Sequence, residues 1–245
     1  SSGIKAWGDN DFGQLGGGDT TDQFTSVLAS EFTSGVVMVA GGDGHSCVLM
    51  DTGGVKCWGK NNFGQLGDGT TTSSTTSVDV SGLSNITAIS LGDNHSCALT
   101  DGGGVKCWGH GGNSQLGDGL VSSSSTPVDV SGLTSGVVAI SAGHYRTCAL
   151  TTSGGVKCWG NNSFGELGDG TRTNRSTPVD VCDVGESAPC GSYLDGVIDV
   201  GAGYNHTCAL TSSGGAKCWG GNNAGQLGDG VATHSDCTGS DCSLV

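Results

Sequence analysis

Hydrophobic and polar positions alternate in short bursts along this chain. VVAISAG (137–143) alternates apolar with small residues, and TCALT (147–151) and VKCWG (156–160) flank a Ser-Gly-Gly turn. TPVDV (126–130) supplies a similar burst in the preceding unit. Runs of this length, bounded by Gly, Asp and Ser, predict β-strands rather than helices. A long Gly/Asp/Thr/Ser loop separates the third burst of a unit from the fourth.

The bursts recur. All five tryptophans, Trp7, Trp58, Trp108, Trp159 and Trp219, stand in Trp-Gly pairs spaced 51, 50, 51 and 60 residues apart. Four short antiparallel strands in a repeat of about 40–50 residues are the signature of a propeller blade. A blade cannot bury both faces alone, so it stacks on its neighbours, with the tryptophan expected to fill the space between them. The reading is one all-β domain, 1–245, with blades at 1–34 (partial), 35–83, 84–133, 134–195 and 196–245 (partial). The inner segment occurs four times (36–50, 86–100, 137–151, 197–211) against five Trp-Gly segments, so an incomplete ring of four to five blades is expected.

The motifs AGxxHTCALT (142–151, with Arg146 in the histidine place), GVKCWG (155–160) and NxxGQLGDG (222–230) resemble the regulator of chromosome condensation repeat. The resemblance covers essentially the whole chain and implies a β-propeller, typically seven-bladed. It is closest in character to a cysteine-bearing, secreted, bacterial-type version of the repeat. Nucleotide exchange and chromatin binding are not carried over, because the basic loops they need are missing.

Composition narrows the function. There are 48 glycines, and 23 acidic residues face only nine lysines and arginines, for a net charge of −14. That balance repels phosphate backbones, and a nucleic-acid partner is not expected. The longest apolar run, VVMVA (36–40), is too short to cross a membrane, and no basic-then-apolar targeting segment opens the sequence. Twelve cysteines, with no CxxC pair among them, favour an oxidising compartment outside the cell.

Four cysteine pairs repeat ten positions apart: Cys47/Cys57, Cys97/Cys107, Cys148/Cys158 and Cys208/Cys218. Centred on a three-residue turn, the two members of each pair oppose each other across a hairpin, within reach of a disulfide. The rival reading is a Cys₂His metal site, because His45, His95 and His206 lie two residues before a cysteine and share its face. Arg146 at the fourth equivalent position cannot ligate a metal. Ala6 stands where the first unit would carry its second cysteine, and the strand bearing the first is missing with it, which favours the staple. Cys182/Cys190 and Cys237/Cys242 lie in irregular stretches, and disulfides within each pair are expected there too.

The remaining candidates are weighed against ordinary structural roles. The repeated histidines are expected to hydrogen-bond across the blades. Asp68, Asp118, Asp169 and Asp229 in the GDG turns read as turn residues. Asp9, Asp11, Asp19 and Asp22 form the best calcium candidate, with no other cofactor expected. Asn85, Asn94, Asn161, Asn174 and Asn205 occupy N-x-S/T sequons. No GxSxG, HExxH or Walker loop occurs. The sequence therefore points to a non-catalytic extracellular or cell-surface module that binds a protein or glycan, with 182–195 and 110–114 as contact segments. Two alternatives remain: a structural protein assembling with further copies of itself through incomplete ends into a fibre or layer, and an enzyme working at the central face.

Overall fold

Each of the four repeated cysteine pairs lies on one hairpin of an antiparallel sheet in the computed structural model, which describes residues 3–29, 31–183 and 188–230. The strands are β1 (Lys5–Gly8), β2 (Gln23–Leu28), β3 (Val36–Gly41), β4 (His45–Met50), β5 (Val55–Gly59), β6 (Ser74–Asp79), β7 (Ile86–Leu91), β8 (His95–Thr100) and β9 (Val105–Gly109). They continue with β10 (Ser124–Asp129), β11 (Val137–Ala142), β12 (Arg146–Thr151), β13 (Val156–Gly160), β14 (Arg175–Asp180), β15 (Val197–Ala202), β16 (His206–Thr211) and β17 (Ala216–Gly220). Three sheets carry four strands in chain order, β3–β6, β7–β10 and β11–β14. A two-stranded sheet (β1–β2) precedes them and a three-stranded one (β15–β17) follows. These are the blades of an incomplete propeller, and the described residues include no helix.

Register follows from the turn. Leu49 pairs with Val55, and Met50 N–H donates to Gly54 O, leaving residues 51–53 as the loop. Cys47 then sits directly opposite Cys57, and the same arithmetic opposes Cys97 to Cys107, Cys148 to Cys158 and Cys208 to Cys218.

The core lies between blades. One cluster joins Cys47, Leu49, Val55 and Leu66 of one sheet to Ile89, Ala98 and Trp108 of the next, and the following junctions repeat it. The Trp58, Trp108, Trp159 and Trp219 indoles are buried. Their Nε1–H groups donate to the main-chain carbonyls of Gln14, Gln65, Gln115 and Glu166 in the preceding sheet at 2.8, 2.9, 2.9 and 3.0 Å. A buried indole thus keeps its one polar atom satisfied while its ring fills the junction. Trp7, expected in the same role, is 66 % exposed, since no described sheet precedes its own.

The long loops are held from inside by a residue that repeats with the tryptophan. Asn10, Asn61, Asn162 and Asn222 are buried, and each accepts the N–H of the leucine five residues on, at 2.9–3.0 Å.

Candidate functional site

The first strands of neighbouring blades face the centre, tied by Ala142 N–H to Ser90 Oγ and Ala202 N–H to Ser141 Oγ, both 2.9 Å. At one end of these strands four short loops crowd together, and Gly42, Gly92 and Gly143 have no room for a side chain. A Cβ there would stand 2.5, 2.3 and 2.6 Å from the carbonyl oxygens of Gly92, Gly143 and Gly203. Backbone therefore packs on backbone, and the residue after each glycine projects into the mouth. Those residues are Asp43, Asp93, His144 and Tyr204, which line one cleft of about 410 Å³.

The cleft joins a row of rings. His144 lies between Tyr145 and Tyr204, with centroids 3.6 and 3.9 Å away, the second pair stacked at 19°. The row continues from Tyr145 to His110 at 5.9 Å and from His110 to Phe63 at 4.5 Å. His144 Nε2 meets Asp93 Oδ2 at 3.1 Å, and Lys60 Nζ lies 3.5 Å from Asp43 Oδ2. Burial lowers the His144 pKa below the ordinary imidazole value, and Asp93 partly opposes it. Burial raises that of Asp93, with His144 opposing and Asp43 adding.

Two neighbours fix this row. Gln115 Oε1 accepts the Asn113 N–H at 2.9 Å, which turns its amide nitrogen toward His110 Nδ1 at 2.6 Å. A neutral His110 then carries its proton on Nε2. Arg146 is buried and reaches the next blade, donating to Thr207 Oγ1 (3.0 Å), Tyr204 O (3.0 Å), Gly203 O (3.3 Å) and His206 O. Burial lowers its pKa to about 10, with Glu166 opposing the shift, so it stays charged and clamps the loop that carries Tyr204.

Arg146 takes the place that His45 and His95 hold in earlier blades. Their Nε2 atoms meet Ser96 Oγ and Thr147 Oγ1 at 2.9 Å. Ser96 and Thr147 donate their own protons to Gln65 O and Gln115 O, so the histidines are the donors. The imidazoles therefore bond to hydroxyls across the blades and not to the cysteine sulfurs. Those sulfurs are bonded: Cys47–Cys57 at 2.04 Å, Cys97–Cys107 and Cys148–Cys158 at 2.09 Å, and Cys208–Cys218 at 2.04 Å. Cys182 is bonded to Cys190, and Cys237 and Cys242 lie outside the described residues.

Asp9, Asp11 and Asp22 are exposed and bring carboxylate oxygens within 4.8 Å of one another. Asp19 turns away to accept from Asn10 Nδ2 and Thr21 N–H. Asp68, Asp118 and Asp169 cap their own turns through the N–H two residues on, and Asp229 accepts from Asn222 Nδ2. Asn85 and Asn174 are exposed, whereas Asn94, Asn161 and Asn205 are half-buried.

The two segments singled out as contacts separate. His110, the first residue of 110–114, belongs to the aromatic row. Of segment 182–195, residues 184–187 lie outside the described residues; Cys182 and Asp183 follow β14 just beyond Asp180, which pairs with Lys157, whereas Arg146 and Gly160 mark the other end of that blade. Sequence reasoning missed Asp43, Asp93, His144, Tyr145 and Tyr204. The signal was the position after each repeated glycine, which reads Asp, Asp, His and Tyr in successive blades while its surroundings recur, with Tyr145 one residue further on.

The chain is 32 % identical over 231 residues to the ultraviolet-B receptor UVR8 of Arabidopsis thaliana, covering 93 % of this chain and 51 % of that protein. It is 31 % identical over 236 residues to the secretion-regulating guanine nucleotide exchange factor of Bos taurus, covering 94 % and 50 %. It thus spans about half the length of these relatives. Among solved structures, human WBSCR16 superposes with a TM-score of 0.74 at 24 % identity, covering 90 % of this chain and 57 % of that one. Yeast RCC1 (Prp20) in complex with Kap60 gives a TM-score of 0.70 at 23 % identity, covering 84 % and 48 %. The match to the RCC1-like domain runs over residues 1–243, and the chain belongs to that family.

Proposed function

We propose that this protein is a non-catalytic propeller working outside the cell, which docks another protein through the channel-mouth face. One observation carries the reading: the cysteines, tryptophans and glycines that hold the blades recur in register, while the mouth positions run Asp43, Asp93, His144 and Tyr204 and diverge in the later blades. The described cysteines are all bonded, so they offer no thiol nucleophile and fit an oxidising compartment. No described helix is long and apolar enough to cross a membrane. A solved structure of yeast Prp20 holds Kap60, so a protein of this fold serves as a docking partner.

The test is photocrosslinking in the cells that make the protein, with benzoylphenylalanine at position 204 and, as control, at exposed position 131. A discrete protein adduct from 204 and none from 131 supports the reading. Equal labelling from both, or none from 204, overturns it.

A second reading, end-to-end assembly of copies, is favoured by Trp7 and Phe24, which are 66 % and 97 % exposed on the first sheet. Sedimentation decides it: assembly that grows with concentration and disappears in Trp7→Ser supports self-association, and a monomer at all concentrations removes it.

A further inference from the structure

The blade repeat separates the five N-x-S/T sequons by cause. At Asn94 and Asn205 the third residue, Ser96 or Thr207, belongs to the hydroxyl series that recurs at Ser46 and Thr147. Ser96 and Thr207 are buried and donate to Gln65 O and Glu166 O, so the scaffold alone accounts for those two sequons. Asn161 folds back on its own third residue: Nδ2 donates to Ser163 Oγ and Oδ1 accepts the Ser163 N–H, both at 3.2 Å.

Asn85-Ile86-Thr87 arises differently. Asp101 N–H donates to Asn85 O, as Asp51, Thr152 and Ser212 N–H donate to Gly35, Gly136 and Gly196 O in the other blades. Asparagine thus stands at a glycine position, with a left-handed φ of +53° that it tolerates better than most side chains do. Two residues on, the other blades expose Val37, Val138 and Ile198, whereas this one exposes Thr87. The left-handed backbone explains Asn85 but not Thr87, and the two departures coincide to make the sequon. At Asn174 the departure is from serine. Ser73 and Ser123 Oγ accept the N–H of Asn61 and Gly111 at 3.1 and 3.2 Å, and Asn174 Oδ1 accepts that of Asn162 at 2.9 Å. This bond orients the exposed amide and leaves Nδ2 unbonded among the described residues.

We propose that Asn85 and Asn174 carry N-linked glycans and that the other three sequons do not. The inference rests on the extracellular part of the proposed function. In the modification Nδ2 bonds to the anomeric carbon of an oligosaccharide carried on a lipid pyrophosphate. The bond from that carbon to the phosphate oxygen breaks, the lipid pyrophosphate leaves with the electron pair, and the amide gives up one proton. A glycan is bulky and hydrated, so the folded protein must leave its nitrogen in solvent. Asn85 and Asn174 do so, whereas Asn94 and Asn205 are half-buried beside hydroxyls sealed between blades. Asn85 lies at the hairpin-turn end of its blade, against Asp101, and Asn174 immediately precedes β14, the outermost strand of its sheet. Neither lines the mouth, which both glycans leave open.

The test is mass spectrometry of the protein from the cells that make it and from their medium. Digestion with peptide N-glycosidase in heavy-oxygen water turns each glycan-bearing asparagine into labelled aspartate, and an enzyme-free sample controls for spontaneous deamidation. We expect label at Asn85 and Asn174 alone. Thr87→Val and Asn174→Ser install residues that other blades already use, so the fold is kept, and each should remove the mass of one glycan. Absence of label at Asn85 or Asn174, label at any other sequon, or an unchanged mass in either variant overturns the proposal. If that happens in protein recovered from the medium, the glycan inference fails and the extracellular reading stands. Protein held inside the cell with reduced cysteines removes both.

Discussion

Acid should unfold this protein through two imidazoles that it keeps neutral in its interior. His45 and His95 are buried, each donates from Nε2 to a hydroxyl in the next blade, and each leaves Nδ1 without a partner. Protonation would place an unpaired N–H and a charge in the junction between blades, so burial lowers both pKa values from 6.5 to about 3, Lys60 adding at His45 and His45 at His95. In the unfolded chain both imidazoles titrate near 6.5, so the unfolded state binds more protons between pH 6.5 and 3. Stability from these groups is complete above pH 6.5 and falls as pH drops toward 3. At pH 4.5 each histidine is about two pH units below its unfolded value, a loss on the order of 3 kcal/mol per residue at about 1.36 kcal/mol per unit. Asp93 and Glu166, whose pKa values are raised mainly by burial, contribute in the opposite sense, so the comparison must be made against a variant. Urea unfolding from pH 7.5 to 4.5 should show a steep loss in the parent protein. His45→Gln with His95→Gln keeps a donor toward each hydroxyl without a titrating ring, and its loss should be shallower by about 5 kcal/mol at pH 4.5. Identical pH slopes, or ring proton resonances of His45 and His95 titrating near 6.5 in the folded protein, would refute the reasoning.

Replacing Cys97 and Cys107 together by serine opens a loop of about eleven residues and should cost about 2.8 kcal/mol in the chain-entropy model, seen as a lower urea midpoint under non-reducing conditions. Gly67→Ala should destabilise by about 1–3 kcal/mol, because the residue sits at φ +71° and a Cβ would stand 2.7 Å from Trp108 Nε1. The loss of that indole's bond to Gln65 O should also appear in tryptophan fluorescence. At the last junction Arg146 and Glu166 stand where other blades carry histidine and glutamine, and both are buried. Arg146→His and Glu166→Gln should each destabilise, and the double variant should recover part of the loss through a coupling of about 0.5–3 kcal/mol in thermal unfolding. Strict additivity would show that the two charges act independently.

The repeat made the blades legible. A three-residue turn with cysteines five positions either side of its centre dictates which residues face each other, and the bonded pairs at Cys97 and Cys107 follow from period-two geometry alone. The buried place of four tryptophans was equally local in origin, because a strand that alternates must put its large ring on one face. Trp7 shows the limit: the same motif leaves the ring in solvent when no described sheet lies against it.

Sequence alone determined the strand bursts, the turns, the register of each hairpin and the net acidity. These depend on neighbours along the chain or on summed charge. Only the tertiary structure brought Asp93, His144 and Tyr204 into one cleft and gave Arg146 its grip on the Tyr204 carbonyl. The physical reason is that a repeat encodes contacts at its own period. A binding face is assembled from the positions where the repeats differ, and these meet only once the blades have stacked.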